Sequence, residues 1–128
     1  MKKILIDTDI LINYSHGYNK ELVGLLERQE NNKIQLYINP IITAEFLNDK
    51  KLKNKNQSIN IEEFLSLFST ANVNKETGII AGKLLRENQI PFLADAFIAA
   101  TGLQFGLELY TNNRKHFKNI KELRLFTP

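Results

Sequence analysis

Ile4-Leu5-Ile6-Asp7-Thr8-Asp9, almost at the start of the chain, is the stretch on which the fold turns. A continuous apolar run closed by polar residues suits a strand covered on both faces, as in the parallel sheets of α/β proteins. Asp7 would then stand in the crevice beyond the carboxyl ends of the strands, where such sheets place their chemistry. Two later acids, Glu45 and Asp95, each sit in a short apolar helical segment, where a charge is costly unless it has a task. These three carboxylates are expected to meet.

A chain of 128 residues forms one domain, 1–128, with a single core. Seventeen Lys and Arg against fourteen Asp and Glu leave a charge of +3, a mild basic balance that permits nucleic-acid binding. The absence of cysteine excludes disulfides, thiolate zinc sites and cysteine nucleophiles. Asp7 and Asp9 interrupt the apolar run after Lys2-Lys3 before it could act as a signal peptide, and no stretch is long enough to span a membrane. A cytoplasmic protein without membrane contact is expected, so the sequon Asn56-Gln57-Ser58 carries no chemical meaning.

Along the chain, Asp9 is suited to cap a short helix over residues 10–14, and Asn19 opens a second with Leu22, Leu25 and Leu26 inward. Ile34, Leu36 and Ile38 alternate with Gln35 and Tyr37 as a strand that ends at Asn39-Pro40. A third helix over residues 41–48 carries Glu45. The lysine-rich segment 49–58 reads as loop or solvated helix end. Ile61, Phe64, Leu65 and Phe68 then mark a helix with a wide apolar face, packed on the core or on a partner. Residues 71–73 form a possible short strand, 75–88 a helix, 93–102 a helix of small and apolar residues, 107–111 a strand and 123–126 a short edge strand. Alternating strands and helices point to a parallel sheet with helices on both faces. Right-handed crossovers bring its strand ends to one side.

Asp95 shares a helical stripe with Ala99 and Gly102, and this bare surface leaves room for a hydrated ion or a substrate. No Lys or Arg stands at 91, 92, 98 or 99 to neutralise it. In purely structural terms Asp95 would be a helix N-cap after Pro91, and Glu45 part of an exposed helix face. Several uncompensated acids at one place repel unless a cation bridges them. Carboxylates without His or Cys select hard ions, Mg2+ or Mn2+. His16 and His116 lack metal-ligand spacing and are expected on the surface. A divalent ion acidifies water, holds a phosphate oxygen and offsets developing charge, which suits phosphodiester hydrolysis. No glycine-rich phosphate loop is present for nucleotide-cofactor chemistry. Arg114, Lys115 and Lys118, with Lys50 and Lys51 after Glu45, could hold a nucleic-acid backbone, although each alone is an ordinary solvated cation.

Four segments together resemble the motifs of PIN-domain ribonucleases, most of all VapC-type toxins of toxin–antitoxin pairs. They are Ile4-Leu5-Ile6-Asp7-Thr8-Asp9-Ile10-Leu11-Ile12, Ile42-Thr43-Ala44-Glu45-Phe46, Asp95-Ala96-Phe97-Ile98-Ala99-Ala100 and Tyr110-Thr111-Asn112-Asn113-Arg114-Lys115-His116-Phe117. The resemblance implies a three-layer α/β/α sandwich with a mostly parallel five-stranded sheet. It also implies Mg2+- or Mn2+-dependent endonucleolytic cleavage of RNA, a homodimer, and a cognate antitoxin protein that covers the site. By the same resemblance Asp7, Glu45 and Asp95 are catalytic metal ligands, and Asn113 takes the fourth position, where many members carry Asp. Thr8 and Thr111 become supporting hydroxyls, and Asp9 either adds charge to the site or caps the next helix, the cap being preferred. Two other readings compete. Asp7-Thr8-Asp9 after an apolar strand imitates the nucleophile motif of haloacid-dehalogenase-like phosphatases, but Leu11 stands where Thr or Val is expected and no later Lys and paired-Asp motif follows. A PIN-like module that binds RNA or protein without cutting would not need all three acids.

Overall fold

The computed structural model describes residues 1–53 and 60–128. The glycosylation sequon and Lys55 lie outside the described residues. Elements follow in the order β1 (Lys2–Ile6), α1 (Thr8–Ser15), α2 (Lys20–Glu30), β2 (Ile34–Ile38), α3 (Pro40–Leu47), a 3-10 turn (Lys50–Lys53), α4 (Ile61–Ser66), β3 (Ser69–Thr70), α5 (Lys75–Arg86), α6 (Leu93–Phe105), β4 (Glu108–Tyr110) and α7 (Arg114–Phe117).

All strand pairs are parallel, in the order β3-β2-β1-β4. Ile4, Leu5 and Ile6 are fully buried although successive side chains on a strand point to opposite faces, so β1 is covered on both sides. The chain steps outward from β1 to β2 to β3, then returns to place β4 on the other side of β1. That reversal makes a topological switch point between β1 and β4, and a crevice opens at their carboxyl ends.

The sheet has four strands among the described residues, not the five expected. Residues 123–126 contribute one isolated parallel bridge, Leu125 to Leu109. Leu109 N–H donates to Arg124 O (2.9 Å) and Phe126 N–H to Leu109 O (2.7 Å), after which the Phe126 ring turns inward against Tyr110. One residue of pairing is all the chain allows before that burial. β3 also lies earlier than residues 71–73, because the register pairs Tyr37 with Ser69 and Ile38 with Thr70; Ala71 N–H still bonds Ile38 O.

The apolar face around residues 61–68 is core. Phe64 and Phe68 are buried, and the Phe64 ring stacks on Tyr14 (4.9 Å) and meets Phe46 and Phe68. Ile61 and Leu65 of the same face are half-buried against this core. The stripe below Asp95 also serves packing instead of making room for a ligand. Ala99 is fully buried, and a Cβ on Gly102 would meet Leu123 Cδ1 at 2.8 Å and Leu107 O at 3.2 Å. Gly106, at φ +66°, then ends α6 in the left-handed conformation that costs glycine least.

Candidate metal centre

Asp7 leaves β1 at the switch point and is the N-cap of α1. Its Oδ1 accepts from Thr8 N–H (2.7 Å) and its Oδ2 from the Thr111 hydroxyl (2.7 Å), while its own N–H donates to Tyr110 O (3.0 Å). The first residue of α1 and the residue just past β4 thus hold this one side chain. Asp7 is 5% exposed, and burial, reinforced by the Asp9 and Asp95 charges, pushes its carboxyl up to about 7 against the pull of its hydrogen bonds.

Asp9 is not the helix cap that its place in the sequence suggests. The helix starts at Thr8, so Asp7 takes the capping place and Asp9 stands in the first turn. Its Oδ2 accepts from Asn112 N–H (3.1 Å), and its Oδ1 is buried with no hydrogen-bond partner among the described residues. Burial raises its pKa first, with Asp95 adding to the rise, against hydrogen bonds from Asn112, Ile10 and Thr111. Asp7 thus feels the Asp9 and Asp95 charges, and Asp9 feels that of Asp95.

Asp95 is the third residue of α6, not its N-cap; Phe92 precedes the helix and offers no side-chain cap. The free N–H groups of that first turn favour a carboxylate there. The Asp95 Oδ2 lies 3.2 Å from Nδ1 of His116, a half-buried residue of α7 rather than the surface group that spacing alone implies. The cation absent at three or four residues along the helix is thus replaced by an imidazole from a distant element. Only tertiary contact could reveal it. The second histidine is not a free surface group either, since His16 Nε2 sits 3.0 Å from Asp49 Oδ2.

Glu45 is half-buried, and its Oε1 accepts from the Thr8 hydroxyl at 2.6 Å. Its helix is tied to that of Asp95 by Asn39, which caps α3 through Ile42 N–H (2.8 Å) and donates to Thr101 Oγ1 (2.9 Å) on α6. In the sequence Asn39 signals only a turn. Asn113 is exposed; its N–H bonds Thr111 Oγ1 (3.0 Å), and its side chain makes no hydrogen bond among the described residues. Lys50, Lys51 and Lys115 are exposed, and Arg114 bonds Phe126 O (3.1 Å) through one nitrogen.

Among the described residues, no three acidic or imidazole side chains stand close enough together to hold an ion as they are oriented. Asp7, Glu45 and Asp95 each direct an oxygen to a protein donor. The donor set nevertheless fits a hard divalent cation. It offers carboxylate oxygens only, two of its acids are raised by burial without a basic partner, and one buried oxygen of Asp9 is unsatisfied.

Comparison with known proteins agrees with this architecture. The chain is 30% identical over 127 residues to "Ribonuclease VapC1" of Methanocaldococcus jannaschii, covering 96% of this chain and 85% of that protein. Its fold superimposes on a toxin–antitoxin complex from Klebsiella pneumoniae (TM-score 0.73, 29% identity, 94% of each chain). It superimposes also on a DNA-bound VapBC from Salmonella typhimurium (TM-score 0.77, 22% identity, 98% of each chain). Residues 4–123 match the PIN domain model, and the chain belongs to the PIN-domain family.

Proposed function

We propose that this protein is a Mg2+- or Mn2+-dependent endoribonuclease, the toxin of a toxin–antitoxin pair, with Asp7, Glu45 and Asp95 as metal ligands and Asp9 as a further acidic contributor. The observation that carries this reading is the pair of unneutralised carboxylates, buried Asp7 and half-buried Asp9, both raised by desolvation at the sheet's switch point. The relative named as a ribonuclease and the toxin–antitoxin complex of similar fold support the activity and a protein antitoxin. A homodimer and a cytoplasmic location belong to the same reading; no helix among the described residues is long and apolar enough to cross a membrane.

A bound divalent ion would supply an activated water and offset charge on the phosphate. The chain's own residues fix the carboxylates around it. Thr111 and the Thr8 amide lock Asp7, the Thr8 hydroxyl holds Glu45, and His116 orients Asp95. Such outer partners set ligand geometry, and losing one costs about 10- to 100-fold in activity or metal affinity. Thr8→Val is expected to lower kcat in that range with Mn2+ while leaving the melting temperature little changed, measured on a fluorescent RNA substrate. At the rim, Arg114 and Lys115 suit the phosphate backbone.

The direct test incubates the purified protein with single-stranded RNA and Mn2+. Cleavage should appear, vanish with EDTA and return with excess Mn2+, and Asp95→Asn should be inactive with an unchanged circular dichroism spectrum. Full activity in that variant, or cleavage that survives EDTA, would sink the mechanism.

A further inference from the structure

Beyond the acids the crevice continues into a cleft of about 510 Å3. It is lined by Tyr110 at the end of β4 and Asn112 beyond it, by Asn13 of α1, Tyr18 of the following loop and Glu21 of α2, and by Arg114. Thr111, which also lines it, donates to Asp7, and Asn112 N–H donates to Asp9. The cleft thus shares two residues with the carboxylate site.

The lining has the chemistry of a base-reading pocket. Tyr18 is 75% exposed, and its one aromatic contact among the described residues is edge-on with His16 at 6.1 Å, which leaves a ring face open for stacking. Glu21 makes no salt bridge among the described residues, and its charge adds to the rise that burial gives the Tyr110 hydroxyl. It is the acidic side chain of the cleft lining, and the Asn13 amide and the Arg114 guanidinium are among the donors there. Single-stranded RNA is read in this way, by stacking on aromatic rings and by hydrogen bonds to base edges.

We propose that this cleft seats a guanine of the RNA strand next to the cleaved phosphate, stacked on Tyr18 with its Watson–Crick edge on Glu21. The proposal rests on the ribonuclease reading. A carboxylate only accepts, and guanine alone among the four bases places two adjacent donors, N1–H and the N2 amine, on that edge. Adenine, cytosine and uracil set an acceptor beside their single donor, which would face the carboxylate and repel it. Asn13 and Arg114 supply donors for O6.

Two measurements test it independently of each other. In EDTA, guanosine, inosine and adenosine monophosphates are titrated into the Asp95→Asn protein and followed by NMR. Guanosine monophosphate should bind about tenfold more tightly than inosine monophosphate, which lacks only the N2 amine. Glu21→Gln should erase that difference, and Tyr18→Ala should weaken both about tenfold while Tyr18→Phe does not. With Mn2+, the wild-type protein should cut a randomised RNA pool with guanine enriched at one position beside the cut, and Glu21→Gln should lose the enrichment. Equal binding of the three nucleotides, or cutting without base preference, overturns the guanine site and leaves the nuclease standing. Guanine-selective binding that depends on Glu21, with no cleavage of any RNA, supports the site and overturns the nuclease reading.

Discussion

Asp7→Asn is expected to abolish RNA cleavage and at the same time raise the melting temperature of the metal-free protein at pH 8. The folded state holds the Asp7 carboxyl near 7, against 3.8 for the free side chain, so it retains a proton that the unfolded chain releases. A raised acid favours the fold at low pH, and this contribution is lost as pH climbs from about 4 to about 7. The rise from 3.8 to about 7 corresponds to about 4 kcal/mol as an upper bound. Asparagine keeps the shape and never ionises. Its oxygen can accept from Thr8 N–H, and its amide can donate to the Thr111 hydroxyl in place of the present bond. The stability gap between variant and wild type should therefore open between about pH 4 and about pH 7 and level off above. Melting curves in EDTA across that range check it, and a variant that is less stable at pH 8 would refute the burden placed on Asp7. Mn2+ should stabilise the wild type, by about 2.7 kcal/mol at a hundredfold excess over Kd, and leave the variant unmoved.

Asp9→Asn separates the two roles that the sequence leaves open for this residue. A helix cap replaced by another good capping residue would leave both activity and stability nearly unchanged. A carboxylate that adds charge to an ion site would lose metal affinity or activity by about a hundredfold. The second outcome is expected, because Asp9 directs one oxygen to Asn112 N–H and buries the other without a partner among the described residues. Asparagine preserves the bond to Asn112, so the measured loss reports the missing charge. Manganese titrations of both proteins, read by cleavage rate and by melting temperature, distinguish the cases.

Much of this site is legible in the order of residues. Apolar Ile4 to Ile6 followed by Asp7, and Glu45 and Asp95 in apolar helical segments, are local violations of the rule that buried positions stay uncharged, and such violations point to function. The Thr8 and Thr111 hydroxyls are legible only through resemblance, and the fold sets them on Glu45 and Asp7. Three expectations fail for a common reason. The cap at Asp9, the surface position of His116 and the open stripe at Gly102 all concern which group lies opposite a residue, and spacing along one helix says nothing of that. Asp9 faces the end of β4, His116 comes from α7 to Asp95, and Leu123 packs on Gly102.

Sequence alone determined the alternation of strands and helices, the buried character of β1 and the identity of the acids, because hydrophobic periodicity and the cost of buried charge act residue by residue. Tertiary structure decided where the sheet reverses, and hence that Asp7 is gripped by Thr111 across 104 positions of chain. It also decided that Asp7 and Asp9 share one desolvated crevice, where burial raises both acids, with the Asp9 and Asp95 charges adding to the rise of Asp7 and the Asp95 charge to that of Asp9. Those effects depend on distance through space, which no one-dimensional pattern contains.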